Sequence, residues 1–108
     1  MKNKIWLKNY PKGVPENVNS NQYETFNNLF EDVFQKFSEL YAFENMGKKI
    51  TYSEFDILTR NFASFLINDL GMKKGERLVI QTPNLLQYPI ALFAALRSGI
   101  IVVNTNPL

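Results

Sequence analysis

Residues 90–96 constrain the fold more than any other stretch, because none of these seven residues carries a polar side chain. They belong to a segment that predicts a helix running to Ser98 and ended by Gly99. A helix that is apolar on every side has to be covered on every side. The remaining residues predict only two parallel strands and two amphipathic helices, which leaves this helix short of neighbours. We therefore expect an incomplete α/β structure whose covering layers lie beyond Leu108.

Apolar strands flank this helix in the sequence. Residues 77–82 have a continuously apolar centre and residues 100–103 are apolar throughout, as expected for strands covered on both faces. A strand, a helix and a strand within roughly thirty residues predict a right-handed βαβ unit. Pro89 would remove a backbone hydrogen bond from a helix that began after Asn84, because proline has no N–H. We therefore expect the helix to be distorted or restarted near Tyr88.

A second helical period begins after Thr25, which is the expected N-cap. We interpret its apolar stripe as core rather than as the wall of a ligand pocket. The stripe consists of Phe26, Leu29, Phe30, Val33, Phe34, Phe37 and Leu40.

A hairpin and a third helix are predicted between these two regions. Residues 41–45 and 49–52 alternate in character around Asn45-Met46-Gly47, where glycine suits a tight turn. Ser53 is the expected start of the next helix, with Asp56 as its capping-box partner. Its apolar spacing continues to Leu70, and Gly71 is the expected C′ residue.

The composition excludes several classes of site. The chain has no cysteine and no histidine. Disulfide scaffolds, cysteine zinc sites, Ser-His-Asp triads and histidine-based zinc hydrolases therefore cannot be assembled from these residues alone.

Positive charge is concentrated at the N-terminus. Lys2, Lys4, Lys8 and Lys12 occur before any acidic residue, with Trp6 and Tyr10 between them. Such an arm can contact phosphate in anionic lipid or nucleic acid, or it can be a solvated arm whose Trp6 and Tyr10 pack back on the body. Four lysines in an arm are too few to favour nucleic acid. We divide the chain into an extended arm, residues 1–24, and an incomplete α/β region, residues 25–108.

The sequence shows no recognisable secretory signal, so we expect a cytoplasmic chain. The lysines are not followed by the apolar segment of a secretory signal, and the longest apolar run, residues 88–96, is about half of a membrane span.

No motif in the chain predicts a reaction. The glycine-containing turns lack the spacing of a phosphate-binding loop. The carboxylate pairs Glu31 with Asp32, and Glu54 with Asp56, are interpreted as solvated or capping residues, because close neighbours on a helix face different directions. Residues 82–84 follow a parallel strand at the edge where α/β proteins bind ligands, although Asn84 is equally suited to capping a helix. We assign no catalytic, cofactor-binding or metal-binding residue.

Several strings in the chain resemble one family in their order and spacing. These are Trp6-Leu7, Tyr10-Pro11, Asn45-Met46-Gly47, Ile50-Thr51-Tyr52-Ser53-Glu54-Phe55, Leu70-Gly71, Pro83-Asn84 and Asn104-Thr105-Asn106-Pro107-Leu108. The sequence resembles the N-terminal end of the acyl-adenylate-forming superfamily, and within it the bacterial long-chain fatty-acid CoA ligases. Glu76 departs from the aspartate that the family more often has after the glycine at position 75.

The resemblance implies a ligase that uses ATP, Mg²⁺ and CoA to convert a long-chain fatty acid to acyl-CoA through an acyl-adenylate. The family's catalytic motifs lie outside residues 1–108, so this portion is expected to be inactive, to bind none of these cofactors and to self-associate through exposed apolar surface. It also implies a cytoplasmic enzyme with peripheral contact at the inner membrane. The alternative is a self-sufficient small α/β binding module that uses its basic arm on anionic lipid or a protein partner.

Overall fold

The computed structural model describes residues 4–108, so Lys2 of the basic arm lies outside the described residues. It is an α/β structure, as predicted. In chain order the elements are a 3-10 helix (Ile5–Asn9), α1 (Phe26–Lys36), β1 (Tyr41–Asn45), β2 (Lys48–Thr51), α2 (Tyr52–Ser64), a π-helical turn (Phe65–Asp69), β3 (Arg77–Ile80), α3 (Gln87–Arg97) and β4 (Ile101–Asn104).

The predicted βαβ unit is present, because β3 and β4 pair in parallel on either side of α3 in the sequence. The pairing runs from Arg77 opposite Ile101 to Ile80 opposite Asn104. Coverage of both faces is not observed. Val79 is 59% exposed and Ile101 is 46% exposed, since the helices pack on the other face of this two-stranded sheet.

Helix α3 is better covered than its sequence led us to expect. It packs against α1, α2 and both parallel strands. None of residues 90–96 is exposed, and Ala94 and Ala95 are fully buried. The expectation that this helix would lack neighbours within the chain is therefore wrong at Ala94 and Ala95 and holds in part for the other five residues, which are half-buried. The sheet carries more fully exposed apolar side chains.

The start of α3 confirms the predicted restart. The helix begins at Gln87, which places Pro89 in the first turn. Backbone N–H groups in the first turn have no partner within the helix, so proline removes no hydrogen bond there.

Helix α1 has the predicted cap and a shorter core stripe. The Asn28 N–H donates to Thr25 Oγ1 over 3.2 Å. The helix ends at Lys36, so the stripe does not extend to Leu40. Phe30 and Phe34 are buried, whereas Phe26 and Leu40 are exposed, and the interpretation of the whole stripe as core is wrong at its two ends.

Helix α2 begins earlier than predicted. Thr51, not Ser53, is the N-cap, and Glu54, not Asp56, completes the capping box. The Glu54 N–H donates to Thr51 Oγ1 over 3.1 Å, and the Thr51 N–H donates to Glu54 Oε2 over 2.8 Å. The helix starts here because β2 ends at Thr51, whose backbone is still extended. Gly71 follows the helical segment with a φ of +66°, as expected of a C′ glycine.

The hairpin β1–β2 is antiparallel and turns at Met46-Gly47, as predicted. Both turn residues have positive φ, 49° and 80° respectively, which matches the twist of a two-residue hairpin. The hairpin packs on α2.

Candidate functional site

A cavity of about 330 Å³ opens beside the loop that follows β3. Residues from β1, the loop and α3 form it together. Its lining consists of Phe43, Glu44, Asn45, Asn84, Leu85, Leu86, Tyr88, Pro89, Leu92 and Phe93. The sequence indicated this edge through residues 82–84, and the structure places Asn84 in the cavity wall.

A hydrogen bond between distant residues holds the rim of this cavity. The side-chain amide of Asn45, in the hairpin, donates to the backbone carbonyl of Asn84 over 2.9 Å. Asn84 therefore serves as an acceptor through its backbone and does not cap α3, which begins after Leu86 without a side-chain cap. The loop is itself closed by a bond from the Leu85 N–H to the Pro83 carbonyl.

The lining residues define what the cavity can bind. Among the described residues, those that line it include no cationic side chain, and Glu44 is their only carboxylate. Phosphate groups require cations or several aligned N–H donors. The cavity therefore suits an apolar group and lacks the pair of groups that acid–base chemistry needs.

The loops after β3 and β4 lie side by side at the same edge. The Thr105 N–H donates to the Ile80 carbonyl over 3.0 Å, and the Gln81 side chain donates to the Asn106 carbonyl over 3.3 Å. The hydroxyl of Thr82 is buried here and has no hydrogen-bond partner among the described residues.

A cluster of ion pairs joins the three helices on another side of the molecule. Arg97, whose side chain is 10% exposed, donates to Asp56 over 2.8 Å. Arg60 donates to both Asp56 oxygens over 3.0 Å and to Glu31 over 2.7 Å. The hydrogen bonds to Asp56 raise the pKa of Arg60 above its usual value. Because a guanidinium group does not give up its proton in proteins, the cluster is a structural clamp and not an acid–base site.

The sequence interpretation of the carboxylates is partly wrong. Glu54 does cap a helix, but Asp56 is half-buried in the clamp, and Glu31 bridges toward two arginines. The i, i+4 spacing of Asp56 and Arg60 was a usable signal for one pair. Nothing in the sequence spacing connects Arg97 to either carboxylate.

Metal-ligand clusters and membrane-spanning helices are both absent from residues 4–108. These residues contain no group of three carboxylates able to hold a metal ion. Within the same residues, no helix has the length and apolar character needed to cross a bilayer.

Comparison with known proteins settles the family. The sequence profile of the family described as "AMP-binding enzyme" matches residues 30–108. The chain belongs to the AMP-binding enzyme family. This confirms the superfamily that the sequence motifs indicated.

Two similar members of the AMP-binding family are ligases from bacteria. The chain is 46% identical over 105 residues to a long-chain-fatty-acid–CoA ligase of Salmonella typhimurium, a match that covers 97% of the chain and 19% of the relative. A ligase of the same name from Bacillus subtilis is 36% identical over 107 residues, covering 97% of the chain and 18% of the relative. The chain thus spans about a fifth of the length of the curated relatives it matches.

Solved structures agree with this AMP-binding fold. VinN in complex with 3-methylaspartate superposes with a TM-score of 0.71 and 28% identity, covering 77% of this chain and 23% of VinN. The N-terminal subdomain of Klebsiella oxytoca NpsA has a TM-score of 0.74 at 21% identity, covering 79% of this chain and 22% of that one. The second likeness shows the fold alone.

Proposed function

We propose that this chain is the N-terminal portion of an ATP-dependent long-chain fatty acid CoA ligase. The fatty acid carboxylate attacks the α-phosphorus of ATP and releases pyrophosphate. The CoA thiol then attacks the acyl carbon and releases AMP. The observation that carries the proposal is the 46% identity, over 97% of the chain, to a relative named long-chain-fatty-acid–CoA ligase.

Residues 4–108 do not fit the charged groups of that reaction. The described cavity offers no cation for a triphosphate, and residues 4–108 offer no carboxylate cluster for Mg²⁺. We propose that ATP, Mg²⁺ and CoA are bound by other parts of the enzyme. The chain then contributes a scaffold, residues 25–108, and an arm, residues 1–24, and is inactive alone.

A chimera tests this function. The matched region of the Salmonella typhimurium ligase would be replaced by this chain, and acyl-CoA formation from oleate would be measured with and without ATP and CoA. We expect ATP- and CoA-dependent activity from the chimera and none from the chain alone. The control is the same chimera with Phe55→Asp, which places a charge in the core. A folded chimera without activity would refute the ligase assignment.

A self-sufficient binding module is the second candidate. The observation that favours it is that the chain's own elements bury Ala94 and Ala95 and half-bury the other residues of 90–96. A module predicts that the chain alone unfolds cooperatively and binds vesicles or a partner protein, while the chimera fails to form acyl-CoA. The two measurements separate the candidates.

We also propose a cytoplasmic enzyme that contacts the inner membrane peripherally, and a chain that self-associates when isolated. The surface that supports self-association is the exposed sheet face with Val79 and Ile101, rather than α3. Sedimentation of the chain and of a Val79→Lys/Ile101→Lys variant tests it. A wild-type chain that remains monomeric at high concentration contradicts it.

A further inference from the structure

The N-terminal arm forms a closed loop whose apolar side chains point outward. An ion pair between Lys4 and Glu16 joins the two ends of this segment. Inside it, the Tyr10 N–H donates to the Leu7 carbonyl and the Val14 N–H donates to the Pro11 carbonyl, both over 3.1 Å. We call residues 4–16 the arm loop.

The arm loop exposes large apolar groups that the core does not use. Trp6 is 51% exposed and Tyr10 is 42% exposed, and Ile5 and Val14 are also exposed. The 3-10 helix within the loop has no buried residue. Packing of Trp6 and Tyr10 back on the body is therefore at most partial, because about half of each side chain is exposed.

The part of the arm loop between its two ends, residues 5–14, carries only positive charge. Glu16 neutralises Lys4, whereas residues 5–14 contain Lys8 and Lys12 and no acidic residue. Within residues 4–108, neither Lys8 nor Lys12 forms an ion pair. The surface around Trp6 and Tyr10 is thus apolar, aromatic and basic.

This combination matches the boundary of an anionic bilayer. Tryptophan and tyrosine prefer the level of the lipid headgroups, where their rings meet the acyl boundary and their polar atoms meet water. Lysines at the same level are attracted to anionic headgroups. Aliphatic Ile5 and Val14 gain from entering lipid but cannot stack on bases, which favours lipid over nucleic acid.

We infer that the arm loop docks the protein on anionic phospholipid through Trp6 and Tyr10, with Lys8 and Lys12 on the headgroups. This inference rests on the proposed peripheral membrane contact and assigns the contact to one loop. Binding through so few groups is weak and reversible, and it falls as salt rises.

The chain provides its own reporter for this contact. Trp6 is the only tryptophan of the sequence, so its fluorescence reports on the arm loop directly. The protein would be titrated with vesicles of phosphatidylglycerol and phosphatidylethanolamine, and with vesicles of phosphatidylcholine. We expect a blue shift with the anionic vesicles that weakens at high salt, and little shift with phosphatidylcholine.

Matched charge variants test the residues. Each lysine near an anionic surface contributes about a fivefold change in partitioning, so Lys8→Gln/Lys12→Gln should bind about 25-fold more weakly. Lys36→Gln/Lys48→Gln removes the same charge from the body and should bind nearly as well as the unaltered chain. Thermal unfolding of all variants verifies that the core is intact.

The remaining outcomes overturn the inference. If vesicles bind but the two double variants bind equally, the membrane contact stands and the arm loop is not its site. If no vesicle shifts the fluorescence, the membrane contact and its assignment to the arm loop are both refuted. A shift that follows protein concentration means that the loop docks on a second copy, and a larger shift with an oligonucleotide means that it binds nucleic acid. The assay uses no ATP or CoA, so its failure leaves the ligase chimera as a separate test.

Discussion

Phe55 of α2 and Phe93 of α3 meet edge to face with their ring centroids 5.1 Å apart. Phe55 also meets Phe34 of α1 and Phe43 of β1, at 5.7 and 4.9 Å. One fully buried ring therefore connects three helices and the hairpin. Phe43 and Phe93, which both line the cavity, therefore pack on this ring.

Removing this ring should be the most damaging single truncation of the core. Phe55→Ala is expected to lower the free energy of unfolding by about 3–5 kcal/mol, because the site cannot collapse around the lost ring. Phe26→Ala is the matched control, since Phe26 is exposed, and should cost well under that amount. Urea unfolding of both variants measures the difference, and equal losses would contradict the central position of Phe55.

The capping box of α2 can be tested with its near neighbour as control. Thr51→Ala should cost about 1 kcal/mol of stability, because the Glu54 N–H loses its acceptor. Ser53→Ala should be nearly neutral, since the N-cap bonds of this helix are made by Thr51 and Glu54 and not by the Ser53 side chain. The reverse order would restore the sequence-based assignment.

This helix shows how far local sequence predicts the fold. Thr51 with Glu54 and Ser53 with Asp56 both have the i, i+3 spacing of a capping box, but only the first pair has the glutamate that the motif prefers, a local signal that the choice of Ser53 overlooked. The end of β2 acts in the same direction, because it keeps the Thr51 backbone extended. The hairpin turn was predictable since its signal is contained in Met46-Gly47 itself.

The candidate site was less predictable, because its contacts join residues that are far apart in the sequence. Residues 82–84 marked the right edge of the sheet, but Asn45 and Asn84 are 39 positions apart and no pattern pairs them. The long-range members of the ion-pair clamp were missed likewise. The burial of α3 was underestimated because the hairpin and α1 fold over one aromatic core, which a count of elements does not show.

Adding a side chain at Gly99 should destabilise the fold. Its φ is +71°, and a Cβ there would lie 2.9 Å from Lys74 Cγ. Gly99→Ala is expected to cost about 1–2 kcal/mol from strained backbone and more from the clash. Gly13→Ala has a similar φ with nothing within 4 Å and isolates the backbone part. In a Lys74→Ala background, Gly99→Ala should cost less, and an unchanged cost would show that Lys74 is not the obstacle.

The contact between Tyr23 and Asp32 predicts that folding stability depends on pH in the range where tyrosine ionises. The hydrogen bond from the phenol to Asp32 raises the pKa of Tyr23 above its usual 10.0. A raised folded-state pKa gives a stabilisation that is complete below the unfolded pKa and disappears as the pH rises through the folded value. NMR titration of labelled tyrosine rings should find Tyr23 ionising at higher pH than in an Asp32→Asn variant. Identical midpoints would rule out the contact.

The link between Asn45 and Asn84 is expected to control the cavity more than the overall stability. Asn45→Ala removes one partly exposed hydrogen bond and should cost about 1 kcal/mol. The larger effect should be local, because the loop after β3 loses its tie to the hairpin while its short internal bonds remain. Hydrogen exchange at the amides of residues 84–88 should accelerate more than exchange in β2. Asn68→Ala, which breaks a side-chain bond to Ser64 on α2, should leave these amides unchanged. Equal exchange in both variants would mean that the cavity rim is held by the packing of Phe43 and Phe93 and not by this bond.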